Sequence, residues 1–282
     1  MITTSERMGK PLREAVPSLA PDPPQWLLLG LGAAFAVALL ALAFWPGGTL
    51  IERLRALDSG ICAQLPTHSF YPGGQRLPLC SRNTGIYLGL GMGVIALFAR
   101  GKGRSARMPQ GWVALTLLGF VALMGIDGFN SLFLDLHLPH LYQPNNLLRL
   151  TTGLLTGTAM AAFLVPVTNG ILWRRPDARA AYGSLRFLVL LVPFLLLAFL
   201  AVVSQWGWLL YPIALLSSAA VVLALTLINL TFVLALSGYV ERFDRAVQVA
   251  PAFSLAVGLA LLELLGLFFL KQSMLQGISL TQ

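Results

Sequence analysis

The run Phe187-Leu-Val-Leu-Leu-Val-Pro-Phe-Leu-Leu-Leu-Ala-Phe-Leu-Ala-Val-Val203 contains no charged side chain and none that can form a hydrogen bond. Its length approaches the roughly 20 residues a helix needs to cross a hydrocarbon core. A stretch of this kind keeps its backbone satisfied in lipid only as a helix. Outward from it, six further apolar runs follow the same logic: Trp26–Trp45, Thr84–Ala99, Trp112–Phe129, Thr152–Trp173, Leu210–Gly238 and Val249–Leu270. The Thr84 run is short, and the Leu210 run is long with Pro212 near its start. Together they predict an all-α integral membrane protein, a bundle of about seven transmembrane helices.

Composition agrees. Of 282 residues, 57% are hydrophobic and only 11% charged. Soluble domains carry about 25% charge, so lipid is the expected solvent. The net charge of +8 is scattered over short loops, with no continuous basic face interleaved with aromatics. Nucleic acid is therefore not an expected partner, and anionic lipid with topology signals accounts for the excess.

The basic residues alternate between two sets of loops. One set holds Arg7, Lys10, Arg13, then Arg100, Lys102, Arg104, Arg107, then Arg174, Arg175, Arg179, Arg186, then Arg242 and Arg245. The other holds Arg53, Arg55, Arg76, Arg82, Arg149 and Lys271. Thirteen against six predicts a cytoplasmic N-terminus, an outside C-terminus and a multi-pass protein of the plasma membrane. Residues 1–24 read as a disordered cytoplasmic tail. They are not read as a cleaved signal, because the following apolar run is too long and lacks a small-residue cleavage site. Residues 25–173 read as a four-helix membrane unit carrying an outer-face polar site, and 174–282 as three further transmembrane helices.

The polar residues of that unit gather on the outer side. Two helices are expected to enter from there, one at Arg82-Asn83-Thr84-Gly85 with Gly89 four residues on, the other at Arg149-Leu150-Thr151-Thr152-Gly153 with Gly157 four residues on. Thr84 and Thr152 are candidate N-caps. A helix N-terminus beside a guanidinium suits an anion. The plainer reading makes Gly85, Gly89, Gly93, Gly153 and Gly157 packing positions of the small-xxx-small kind, which leaves the arginines unexplained.

Asp127, in Gly125-Ile126-Asp127-Gly128, is expected to pair with Arg82 or Arg149. It serves either as a structural ion pair or as a catalytic or ligand-binding acid. Asn145 and Asn146, after Gln143-Pro144, are turn residues or ligand contacts. The ligand-binding candidates are thus Arg82, Thr84, Asn145, Asn146, Arg149 and Thr152. Glu263 is an intramembrane acid expected in the outer half at the same depth, and Asn229 is expected toward the cytoplasmic half, outside the site.

Cys62 and Cys80 would face an oxidising compartment, where a disulfide closing their loop would stabilise it by about 3 kcal/mol. His68 is the only histidine near in sequence, His137 and His140 lie on another loop, and no Cys-x-x-Cys occurs. Neither a metal nor a cofactor is expected.

In combination these segments resemble an uncharacterised family of multi-pass prokaryotic membrane proteins, a domain of unknown function. Its signature reads Cys-His-Gln, Arg-Ser-Phe, Pro-Leu-Cys-x-Arg-Cys-x-Gly-Ile-Tyr-x-Gly, then Asp-Gly and Asn-Asn-x-Leu-Arg-x-x-Thr-Gly. This chain shows Cys62, Gln64, Ser69-Phe70, Pro78-Leu79-Cys80, Arg82 and Gly85-Ile86-Tyr87-x-Gly89. Further on it shows Asp127-Gly128, Asn145-Asn146-x-Leu148-Arg149 and Thr152-Gly153. It departs at Ala63, His68 and Asn83, where the family has histidine, arginine and a third cysteine. The resemblance implies a polar outer site, weakens a thiol or metal role and supplies no reaction.

Four functions compete. The first is an outer-face site for an anion or lipid headgroup, built by Arg82, Asp127 and Arg149. The second is a structural or assembly subunit with a membrane-protein partner. The third is an extracytoplasmic thiol or metal protein, and the fourth a transporter. No serine elbow, phosphate loop or zinc-protease helix is present.

Overall fold

The computed structural model describes residues 48–279, with Gly30, Ala33 and Ala36 before them and side chains as far as Met274. The tail 1–24 and, apart from those three positions, the run Trp26–Trp45 lie outside the described residues. Among the described residues the α-helices are α1 (Leu50–Asp58), α2 (Ser81–Ala99), α3 (Gly111–Asp135), α4 (Asn146–Leu172), α5 (Leu185–Val203), α6 (Leu210–Leu236) and α7 (Ala246–Ser279). The protein is thus mostly helical, and α3 through α7 are long and apolar enough to cross a membrane.

α1 was not foreseen. Thr49 and Glu52 form a reciprocal capping box, which starts a short helix without an apolar run.

α4 is the centre of the bundle. Of its most apolar stretch 67% is buried, against 17% for α3 and for α5. Its closest neighbour is α2. There Gly85 and Gly89 meet the backbone of Leu150 and Leu154, while Gly153 and Gly157 meet that of Arg82 and Ile86. A Cβ on Gly157 would stand 1.9 Å from the Ile86 carbonyl oxygen, and one on Gly89 2.3 Å from that of Leu154. The two Thr-Gly-x-x-x-Gly strings are therefore the two sides of one backbone-to-backbone contact.

That placement corrects the expected caps. α2 begins at Ser81 behind Cys80, and α4 begins at Asn146, capped by the Asn145 side chain, which accepts from Leu148 N at 2.8 Å. Thr84 and Thr152 lie inside their helices. Their hydroxyls donate back to Leu79 O at 3.2 Å and Leu148 O at 3.0 Å. The physical reason is that Pro144-Asn145 supplies a better start than a threonine already within the apolar run. α3 likewise continues past Phe129 to Asp135, because Asp127, Asn130 and Ser131 are all buried against partners.

α6 packs on both α2 and α4, and α7 packs chiefly on α6. At the opposite end of the bundle from α1, two short strands depart from the all-helical expectation. β1 (Ser105–Arg107) and β2 (Asp177–Ala180) pair in parallel. Asn169 Nδ2 fixes this end by donating to Gly103 O at 2.9 Å and Ser105 O at 3.0 Å. The Arg104 guanidinium lies over the Trp173 ring at 3.7 Å.

Candidate functional site

The loop from Ser59 to Cys80 is built by its own polar residues. Gln64, held at φ 56°, donates from Nε2 to Arg55 O at 2.8 Å and Pro78 O at 2.7 Å. Arg76 Nη1 donates to Gln64 O at 3.0 Å. Two turns begun by Pro66 and Pro72 complete the loop. Gly73 N then donates to Gln205 O at 3.0 Å in the α5–α6 connection. This frame presents His68 to the start of α4.

Arg82 and Asp127 form one group. Arg82 Nε donates to Asp127 Oδ2 at 3.2 Å, and Nη2 donates to the same oxygen, to Asp127 O at 3.1 Å and to Ser131 Oγ at 3.1 Å. Tyr142 OH donates to Asp127 Oδ1 at 2.9 Å. Asp127 is 1% exposed, with both carboxylate oxygens occupied. Desolvation, then the Asp127 carboxylate, push the Tyr142 phenol up to about 12, which keeps it a donor. Asn130 holds Tyr142 there, accepting from Leu141 N at 2.6 Å and donating to Tyr142 O at 2.9 Å.

Arg149 forms a second group. Its Nη1 donates to Asn146 Oδ1 at 3.1 Å, and Nη2 lies 3.1 Å from His68 Nε2. Asn146 Nδ2 donates to Thr67 O at 3.1 Å, tying the loop to α4. His68 Nε2 is also 3.6 Å from Asp135 Oδ1 at the end of α3. Burial first and the Arg149 charge second pull the His68 pKa below its ordinary value. The ring is then neutral at pH 7 and accepts from Arg149. Arg149 is 5% exposed, yet its Nε has no hydrogen-bond partner. Among the described residues no carboxylate stands within 4.0 Å of its guanidinium.

The structure thus brings Arg82 to Asp127, and Arg149 to Asn146, while Asn145 is spent on the cap. Tyr142, Asn130, Ser131 and Asp135 were missed. Asn130 had a signal, as a polar residue that directly continues an apolar run, whereas Tyr142 in its polar loop had none.

Glu263 requires a correction. Its Oε2 accepts from Asn229 Nδ2 at 3.1 Å between α7 and α6. The two residues share one depth rather than lying in opposite halves, and this bond binds Glu263 to α6 rather than to the arginine groups.

Cys62 and Cys80 adjoin, with Cys80 N donating to Cys62 Sγ at 3.3 Å, and both thiols are free. A hydrogen bond from the Cys80 thiol first, with the Cys80 and Gln64 backbone and Asn83 adding to it, pulls the Cys62 thiol below its ordinary value against the opposing effect of burial. His68 is turned to Arg149, and Gln143 Nε2 lies 3.2 Å from His140 Nε2. Lys271 Nζ caps this region, donating to Ser59 O at 3.0 Å and Cys62 O at 3.1 Å.

Residues 62–163, which carry both arginine groups and both cysteines, match the family described as predicted membrane protein (DUF2085). An uncharacterized protein of Methanothermobacter thermautotrophicus is 34% identical over 104 residues, spanning 36% of this chain and 81% of that relative. An uncharacterized protein of Methanocaldococcus jannaschii is 28% identical over 122 residues, 43% of this chain and 72% of that relative. No solved structure matches. The matched segment and its coverage of the Methanothermobacter relative show that the chain belongs to the DUF2085 family of predicted membrane proteins.

Proposed function

We propose that this multi-pass membrane protein binds an anionic group, a phosphate or the headgroup of an anionic lipid, in the mouth between Arg149, His68 and Asn146. The observation that carries the reading is the Arg149 side chain: nearly fully buried, unpaired at Nε and without a carboxylate beside it among the described residues. A buried charge lacking its counter-charge costs several kcal/mol, and an arriving oxyanion returns much of that through charge-assisted hydrogen bonds. Arg82 does not share the task equally, because Asp127 already neutralises it. Asp127, with both oxygens engaged, acts in this reading as the anchor of Arg82 rather than as a base.

The mouth belongs to the loops poorer in basic residues. On the positive-inside rule it faces outward from the plasma membrane, in a seven-span chain with a cytoplasmic N-terminus.

The test compares wild type with Arg149→Gln in detergent, titrated separately with inorganic phosphate and with short-chain phosphatidylglycerol against phosphatidylcholine. Loss of a charged hydrogen-bond donor weakens binding roughly tenfold to a hundredfold. Saturation by phosphate identifies the free anion, and saturation by phosphatidylglycerol alone the headgroup. If Arg149→Gln binds both ligands as wild type does, or wild type binds neither, the reading is wrong.

A further inference from the structure

The end of the bundle away from Arg149 carries an amphiphilic groove of a different kind. Between α2 and α5 lies a cleft of about 390 Å³. Met92, Ile95 and Ala99 line one wall, and Phe187, Leu190 and Phe194 the other. Ile95, Leu190 and Phe194 are 64%, 52% and 59% exposed. α5 is long and apolar enough to cross a membrane, so the exposed Leu190 and Phe194 are placed to meet lipid. Arg100 closes one end of the cleft, with its guanidinium 5.6 Å from the centre of the Phe187 ring. Lys102 Nζ lies 6.0 Å from the same ring and donates to Ala180 O at 3.0 Å.

The charge at this end is unbalanced. Arg174 and Arg179 have acid partners in Asp244 and Asp177. Arg100 and Lys102 have no carboxylate within 4.0 Å among the described residues. A groove that is hydrocarbon-lined along its length and cationic at one end has the form of a phospholipid: chain below, phosphate at the boundary.

We infer that the α2–α5 groove is a binding site for an anionic phospholipid, with an acyl chain between Ile95 and Phe194 and the headgroup phosphate on Arg100. The site is separate from the Arg149 mouth and needs no ligand there. Phe187 sets the depth, since its ring lies 5.6 Å from the Arg100 guanidinium and holds that charge at the mouth of the cleft. Membrane-surface cations are worth roughly a fivefold gain each for acidic over zwitterionic lipid, and the groove adds chain contact to that preference.

The experiment uses the full chain in nanodiscs with acyl-chain photoactivatable phosphatidylglycerol or phosphatidylcholine, mapping crosslinked peptides by mass spectrometry. In wild type, peptides spanning Met92–Arg100 and Phe187–Phe194 take roughly fivefold more phosphatidylglycerol than phosphatidylcholine. Arg100→Gln lowers the phosphatidylglycerol yield toward the phosphatidylcholine level. Ala99→Phe, at an exposed position on the groove wall, does the same by filling the cleft. Both positions are exposed, so the size-exclusion profile is expected to stay that of wild type. Equal labelling by the two lipids in wild type, or a preference that survives both substitutions, overturns the site. Labels are read on α2 and α5, so loss of the Arg149 mouth leaves this result unchanged.

Discussion

A single carboxyl at the last turn of α1 gives the protein a pH response that its arginines do not. Asp58 is fully buried; Oδ2 accepts from Ser218 Oγ of α6 at 2.6 Å, and Oδ1 has no partner. It also stands at a helix C-terminus, where a negative charge is disfavoured. Burial pushes its pKa up to about 7, against the pull of the Ser218 hydroxyl. A raised carboxyl contributes stability below its ordinary value near 3.8 and loses it as pH climbs to about 7. Above that, the charged form is buried at full cost. Asp58→Asn should therefore leave stability at pH 4 unchanged and raise it at pH 8, by at most about 4 kcal/mol. Thermal unfolding in detergent at both pH values checks this, and an unchanged melting temperature at pH 8 counts against it. At this scale the sequence was informative only where a charge had few possible partners. Asp127 had two, and the structure pairs it with Arg82. Asp58 has no partner visible in the sequence, because Ser218 lies 160 residues away. Its burial comes from folding α1 down onto α6.

Between elements, the contact that orders both arginine groups is the glycine seam of α2 and α4. Arg82 and Arg149 each lie in the first turn of one of these helices, so the seam sets their separation and depth. Gly157→Ala places a Cβ 1.9 Å from Ile86 O. Backbone cannot yield as a side-chain tip does, so the helices must part. The expected loss is about 1–3 kcal/mol, together with weaker anion binding. Gly119, on α3, has open space around its Cβ direction. Gly119→Ala should be neutral or up to about 1 kcal/mol stabilising through helix propensity. Denaturant titration of the two variants side by side separates the cases, and equal stability of both removes the seam from its organising role. The Thr-Gly-x-x-x-Gly pattern was visible in the sequence, but its meaning was divided between caps and packing. What could not be read was the helix start. Arg82 and Asn83 look like a polar entry to an apolar run, yet Ser81 already belongs to α2. The loop below is tied in by Ser81 Oγ, which donates to His68 O at 2.8 Å. Element boundaries depend on tertiary bonds of this kind, whereas the apolar runs themselves announce helices by composition.

For the whole molecule, the apolar runs carried the helical, membrane-spanning class, while the order of burial was not legible. α4 is no more apolar than α5, yet it is central and α5 peripheral. Glycines and threonines let backbones approach, so hydropathy alone does not rank burial inside the bundle: α3 is less apolar than α6 yet also less buried. Topology rests on charge counting and can be checked directly. In a Cys62→Ser, Cys80→Ser background, a single cysteine is placed either at Trp208, in the α5–α6 connection, or at Arg179, on β2. Both side chains are well exposed, at 68% for Trp208 and 66% for the Arg179 side chain. They lie beyond opposite ends of α5. A membrane-impermeant maleimide applied to intact cells is expected to label Trp208→Cys and to spare Arg179→Cys until the membrane is permeabilised. The reverse pattern would turn the Arg149 mouth toward the cytoplasm. It would then replace the external anion by a cytoplasmic one while leaving the chemistry of the mouth as drawn. Labelling of both positions from outside would mean that α5 does not cross, and the bundle would need one fewer span.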